Sequence, residues 1–551
     1  MTVADGARRH LTLTGAGFDA LASGGGTADE SAFLYRGERT RRLLLLGELL
    51  DLLEERPGSL GPLPAAAAAW EIIGRAARHR PSAVEELLAS PQTGSWIAHL
   101  LRRLHGTAGG PPLWVDAGHL HALAVVACLR AGIDTVIDVP VRDGDIALPT
   151  LGLARADTAG PGYTTARATI RGSSLHLRVA GSTTTVEPLL PGRSATWLAL
   201  RTVDRHGKVV LDDLDPYRAL DDPVPADPLD PDEFEAWRQV FDEAVEECAE
   251  RPPPGPGRPL LADVRCIVPW GGVLAKAGSE GVPVRSASTA DAYGSLLVSR
   301  PPDGLTFAET LVHELQHGKL GALMHLFPLL EDDRAELYYS PWRPDPRHLT
   351  GLLHGAYAFT GVTGFWHDRL DGPHHDRAAF QFALRRLHCR YAVSTLLRHG
   401  QPTAAGLRLL RGLAGTLDGW LRRPLDRAVV LRARAAARSH LVEWRLRNLS
   451  WDPATGTTAV TGSLEQGLWS DDRVHLYALP PGSLDAPKTA DEHLCAGSPS
   501  TALPRYAAQL RRNPRDAHAR AGWLLSAAAL RPRLRWSLRL PERAQHLLPA
   551  E

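Results

Sequence analysis

Two periodicities meet at Gly132, and no all-helical or all-strand fold holds both. Before it, apolar residues recur at helical spacing. Residues 40–55 carry Leu43-Leu44-Leu45-Leu46 and Leu49-Leu50, and Ala65–Ala69 runs into Trp70-Glu71-Ile72-Ile73. Further helices are expected over 95–104 and 120–129, and Ser82-Ala83-Val84-Glu85 reads as a capping box with Ser82 as N-cap. After Gly132, Thr135–Val139 and Ile146–Leu148 flank Asp143-Gly144, a strong hairpin signal. Alternating segments follow at 164–170, 175–179, 195–203 and 208–212, with a turn at His206-Gly207. The fold class is therefore α+β and mostly helical.

At 551 residues, the chain has room for about three or four domains. The reading gives an N-terminal helical region (1–132), a β-rich module (133–215), a helical metal-binding core (216–450) and a C-terminal region (451–551). Residues 212–232 are rich in Asp and Pro and read as a linker or long loop. Asp230-Pro231 opens a helix by N-cap and Pro at N1. A Pro/Gly break at 251–257 and strands near 263–268 and 294–299 lead into the core, and helices dominate 349–446. The tail over 504–548 resembles one tetratricopeptide unit, too few to form a solenoid, and reads as a helical appendage.

Formal net charge is +0, so no overall field draws the chain to nucleic acid or to an anionic membrane. Lysine is confined to Lys208, Lys276, Lys319 and Lys488. The five cysteines are scattered without CxxC spacing, which supports neither a zinc ribbon nor an iron–sulfur cluster. That pattern suits a reducing compartment. No signal-peptide stretch and no membrane span are expected, so the cytoplasm is the expected location.

The chemistry is concentrated in His313-Glu314-Leu315-Gln316-His317, set in the apolar run Phe307–Val312. Two histidines four apart lie on one helix face, so both imidazoles can reach one metal ion. Glu314 is rotated about 100° from His313. Gly318 and Gly321 follow, and Gly321 leaves the histidine face uncrowded one turn on. The metzincin spacing is absent, because Leu320 and Leu323 stand where its Gly and His belong. His325 lies eight residues past His317, about 12 Å along a helix axis, and reads as a surface or packing residue. For a gluzincin, Glu331 or Glu336 would supply the third ligand from a second helix. Glu336 is the better of the two, though a solvated helix end accounts for it. His354, among Gly351, Leu353, Gly355 and Phe359, is either a buried neutral histidine or a ligand. Its flanking glycines permit close approach of another helix. Arg343 lies in a rigid, extended, proline-bracketed loop with Asp345. It suits either a bidentate grip on a carboxylate or a structural Arg–Asp pair.

Taken together, Leu311–His317, Ser340-Pro341-Trp342-Arg343-Pro344-Asp345-Pro346-Arg347 and Leu353-His354-Gly355-Ala356-Tyr357-Ala358-Phe359 resemble the HExxH-type peptide-modification proteins. These are 2-oxoglutarate-dependent peptide β-hydroxylases of ribosomal peptide natural-product pathways. Segments at 18–26, 91–96 and 139–152 extend the resemblance over most of the chain. It implies Fe(II) held by His313 and His317, with His354 matching a motif histidine and expected as third ligand, or Glu336 if a carboxylate completes the set. Arg343 is assigned from its own chemistry to the distal carboxylate of 2-oxoglutarate, with Arg347 in reserve. The implied reaction hydroxylates a side-chain β-carbon of a precursor peptide with O2, with other peptide-maturation enzymes as possible partners. Glu314 is then a group that orients a ligand histidine or a water. The alternative is a zinc metallopeptidase or amidohydrolase with Glu314 as general base. A further alternative is a non-enzymatic scaffold for a precursor peptide.

Overall fold

The computed structural model describes residues 11–156, 161–220, 222–249, 255–258, 260–271, 285–332, 334–463 and 484–548. The chain is an α+β, mostly helical protein. It divides into two compact units. The first is mainly Ser31–Glu250 with Leu260–Leu326, and the second mainly Leu13–Glu30 with Phe327–Glu551.

In the first unit the helices Ala28–Glu55, Ala66–His79, Pro81–Leu88, Pro91–Leu104 and His119–Ala131 precede a sheet. The first of these begins twelve residues before the expected Thr40, with Asp29 and Glu30 in its first turn, where acidic groups favour a helix start. Ser82 is not a cap. The helix starts at Pro81 after Arg80, because proline pre-sets φ at N1 and has no N–H to leave unsatisfied.

The sheet strands are β1 (Thr135–Arg142), β2 (Asp145–Leu148), β3 (Gly152–Arg155), β4 (Tyr163–Arg171), β5 (Ser174–Val179), β6 (Ser182–Val186) and β7 (Trp197–Ala199). Their spatial order is β6-β5-β4-β1-β2-β3-β7, antiparallel throughout. Asp143 and Gly144 both take positive φ, 51° and 85°, as a type I′ turn requires. Alternate residues of β1, β2 and β4 (Val139, Val141, Ile146, Leu148, Ala166, Ala168) are buried in one cluster with the helix His119–Ala131. The stretch Leu113–Ala131 is long and apolar enough to cross a membrane by length and composition, but 83% of it is buried within the fold.

The β-rich module does not close at 215. After β7 the chain passes into a second sheet: β8 (Arg201–Thr202), β9 (Val210–Leu211), β10 (Cys266–Pro269), β11 (Ser286–Ala287) and β12 (Ser295–Val298), in the order β11-β12-β10-β9-β8. Here β9, β10 and β12 run parallel. The described residues between β9 and the helix Pro231–Ala249 form the long loop that is one of the two readings of the sequence, and it is tied into the fold. Asp213 is held by Arg193 and Arg201, both at 2.9 Å, and Gln92 donates to Asp212 at 2.7 Å. Burial, together with Asp212 beside it, pushes the Asp215 carboxyl up to about 8.

The strand β12 leads into the helix Gly304–Leu326, which carries the HExxH residues. Asp303 caps it by accepting from the Thr306 N–H at 2.7 Å. Its inner face packs on the helix Pro231–Ala249, with Phe307 edge-on to Trp237 and Phe241 at 6.0 Å each.

The second unit is built from the helices Gly15–Ala22, Leu349–His367, His375–His399, Ala404–Arg422 and Arg427–Asn448, the hairpin β13 (Leu449–Asp452) and β14 (Thr457–Val460), and a helical tail. Tyr357 donates from its hydroxyl to the Leu21 carbonyl at 2.9 Å, and Arg408 pairs with Asp19 at 2.7 Å. The tail helices Pro499–Arg512 and Ala517–Leu530 meet where Gly522 lies against the Tyr506 ring. They are integrated with the fold: Leu524 and Ala544 share a core with Val442 and Leu446.

Candidate metal centre

On the helix Gly304–Leu326 the Nε2 atoms of His313 and His317 stand 3.1 Å apart, with the rings nearly perpendicular. Two metal–nitrogen bonds of about 2.1 Å set at right angles span about 3.0 Å, so the pair fits a single ion. Both rings are half-buried, whereas Phe307, Leu311, Val312 and Leu315 on the same helix are buried. A buried face therefore fixes the helix, and the two imidazoles are left at the boundary.

Glu314 is 3% exposed. Its carboxylate accepts a hydrogen bond from the Ser288 hydroxyl at 2.6 Å. Together with Asp263, Tyr293, Gly318 and Lys319 it lines a small recess that neither motif histidine lines. Among the described residues no cation pairs with Glu314. Nothing in the sequence singled out Ser288, because one serine among Ser286, Ser288 and Thr289 carries no spacing signal.

Gly321 does not open a ligand pocket. A Cβ there would come within 3.0 Å of Ala290, so glycine lets the turn Ala290–Ala292 sit against the helix. His325 is a packing residue as expected, its Nδ1 2.7 Å from the buried Glu38 carboxylate.

His354, Arg343 and Glu336 belong to the second unit. His354 is half-buried on the helix Leu349–His367. The glycine beside it admits a side chain, not a helix. A Cβ on Gly355 would lie 2.1 Å from the Trp342 ring, and that indole stacks on Phe359 at 5.0 Å. The loop bearing Arg343 is folded back, not extended. Tyr338 and Arg347 exchange backbone hydrogen bonds at 2.7 and 2.9 Å across its neck, and the Asn448 amide donates to the Pro344 carbonyl at 2.8 Å. Asp345, 1% exposed, receives Arg343 at 2.7 Å and Arg347 at 3.3 Å. Glu336 is exposed in an irregular segment and is tied by the Tyr338 hydroxyl. The second helix that a gluzincin ligand needs is not formed there.

Among the described residues, no three His, Cys, Asp or Glu side chains are gathered as a metal-binding group. The structure brings together the two motif histidines, and it brings together Arg343 with Asp345. No protein-family model matches the chain, and no curated protein matches it.

Proposed function

We propose that this chain is an Fe(II)- and 2-oxoglutarate-dependent oxygenase that hydroxylates a side-chain β-carbon of a ribosomally made precursor peptide. The observation that carries the reading is the division of labour within the HExxH turn. Two Nε2 atoms converge to 3.1 Å, while Glu314 is engaged by Ser288 in a recess apart from them. A hydrolase needs that glutamate at the metal-bound water as general base. An oxygenase does not, and can use it to hold the helix in place.

In this reading His313 and His317 hold the iron, and His354 is the expected third ligand. When bound, iron with 2-oxoglutarate supplies the oxidising equivalents from O2 that convert C–H to C–OH. Arg343, oriented through Nε by Asp345, receives the distal carboxylate of 2-oxoglutarate by charge-assisted hydrogen bonds. Glu314 is a positioning residue acting through Ser288.

The test is anaerobic. Fe(II) and 2-oxoglutarate added to the apoprotein should give a visible charge-transfer band that bleaches on admitting O2, with succinate formed. His313→Ala and His317→Ala should each abolish the band. Tight zinc binding without a band, together with peptide cleavage that Glu314→Gln abolishes, would replace this reading by the zinc hydrolase.

A further inference from the structure

Within the first unit, away from the HExxH helix, lies an open cavity of about 100 Å³. Its walls are the start of the helix His119–Ala131, the strands β1 to β3 and the loop 214–226. Most of the lining is apolar, including Val115, Ala147, Leu153, Leu214 and Val224. A mostly apolar lining with a few polar groups is the make-up of small-molecule sites.

Two polar groups in this wall are incompletely engaged by the fold among the described residues. The first is His119, 3% exposed. Its Nε2 has no hydrogen-bond partner among the described residues, and its ring is held edge-on to Tyr217 at 4.6 Å. A buried polar atom without a partner is rare in folded proteins and calls for an explanation. Burial, against a weaker opposing pull from Asp116, pushes the imidazole down to about 3, so it stays neutral.

The second is Arg142, whose guanidinium makes no side-chain hydrogen bond among the described residues. Its nearest carboxylate is Asp116, at 3.8 Å, and that carboxylate is already satisfied. The Tyr217 hydroxyl donates to it at 2.8 Å, His99 Nε2 lies at 3.2 Å, and Arg103 pairs with it directly. The acids that line the cavity are also engaged. Asp145 pairs with Arg155 at 3.2 Å, and the exposed Asp143 accepts from the Gly162 N–H at 2.7 Å. Arg142 is the lining cation whose planar donor set is left to meet an incoming anion.

We propose that this cavity binds a small monocarboxylic acid with an apolar body, its carboxylate received by Arg142. The apolar wall takes the body, and the guanidinium fork matches a carboxylate bidentately. The proposal does not depend on the metal reading.

The probe is octanoate, titrated calorimetrically into the full chain, with octylamine and octanamide as comparisons. Octanoate should bind saturably at one site, and octylamine should not bind. Arg142→Gln should weaken octanoate about tenfold or more, to the level of octanamide on the unaltered protein. Ala226→Phe, a change on the wall loop, should remove binding while the circular-dichroism spectrum of the folded protein is retained. That second variant keeps the test decisive if Arg142→Gln fails to fold. Octylamine binding as tightly as octanoate, octanoate binding indifferent to both variants, or no binding of octanoate at millimolar concentration would each overturn the proposal.

Discussion

Glu314 and Asp345 are both buried carboxylates in segments that suggest chemistry, yet they are held in opposite ways. Asp345 is met by two guanidiniums, Arg343 and Arg347. Glu314 is met by one neutral hydroxyl, that of Ser288. Two cations around one buried anion make a rigid knot whose loss is felt by the whole loop. A lone hydroxyl satisfies geometry without cancelling charge. The loop is thus built as a scaffold that sets the direction of Arg343, while the HExxH turn holds its buried carboxyl group through the Ser288 hydroxyl.

The largest expected effect is at the knot. Asp345→Ala removes the buried anion shared by two half-buried guanidiniums and should cost about 3–5 kcal/mol, read as a lower urea midpoint for the second unit. A cost below about 1 kcal/mol would mean that the pair is in effect a surface ion pair. At the other carboxylate, Ser288→Ala should cost about 1–3 kcal/mol, because it strands a buried acceptor. Adding Glu314→Gln should recover part of that loss in a double-mutant cycle, and strictly additive costs would show that the two groups act separately.

A third buried polar group, His119, extends the series, its Nε2 without a hydrogen-bond partner among the described residues. Unfolded, His119 takes a proton near pH 6.5; folded, it does so only at about 3. The unfolded state therefore binds more protons in between, and the first unit should lose stability as pH falls from 6.5 toward 3. The slope from this one group is at most about 1.4 kcal/mol per pH unit. His119→Phe should flatten that part of the stability–pH curve, and an unchanged curve would mean the ring is hydrated. The smallest effect is expected at the exposed Glu336. Glu336→Gln should change stability by no more than about 0.5 kcal/mol and leave Fe(II) binding unaltered; a lost iron site would make it a ligand after all.

What was legible in the sequence was what neighbours in the chain decide. The HExxH helix follows from a local apolar stripe, and the β1–β2 hairpin from Asp143-Gly144, whose positive φ values are those the turn requires. The fusion of 201–211 with strands beyond 265 could not be read, because β9 pairs with β10 across more than fifty residues and two-residue strands carry almost no pattern. Ser82 failed as a cap because Pro81 is a stronger local start signal. The histidine pair was legible from its four-residue spacing. Its surroundings were not, since Ser288 against Glu314 and Trp342 against Gly355 are contacts that only the tertiary fold creates.

The second unit draws its helix Gly15–Ala22 from the start of the chain and the rest of its bulk from beyond Leu326. During synthesis that helix leaves the ribosome before the rest of its unit, and it must wait for more than three hundred residues before Tyr357 and Arg408 exist to receive it. A cut between Leu326 and Phe327 would not separate two self-sufficient halves. It would leave one fragment with a helix that has lost its seat and the other with a seat that has lost its helix. The useful experiment is the complementary one: whether a peptide spanning 13–30, supplied in trans, restores folding to a fragment that begins at Phe327.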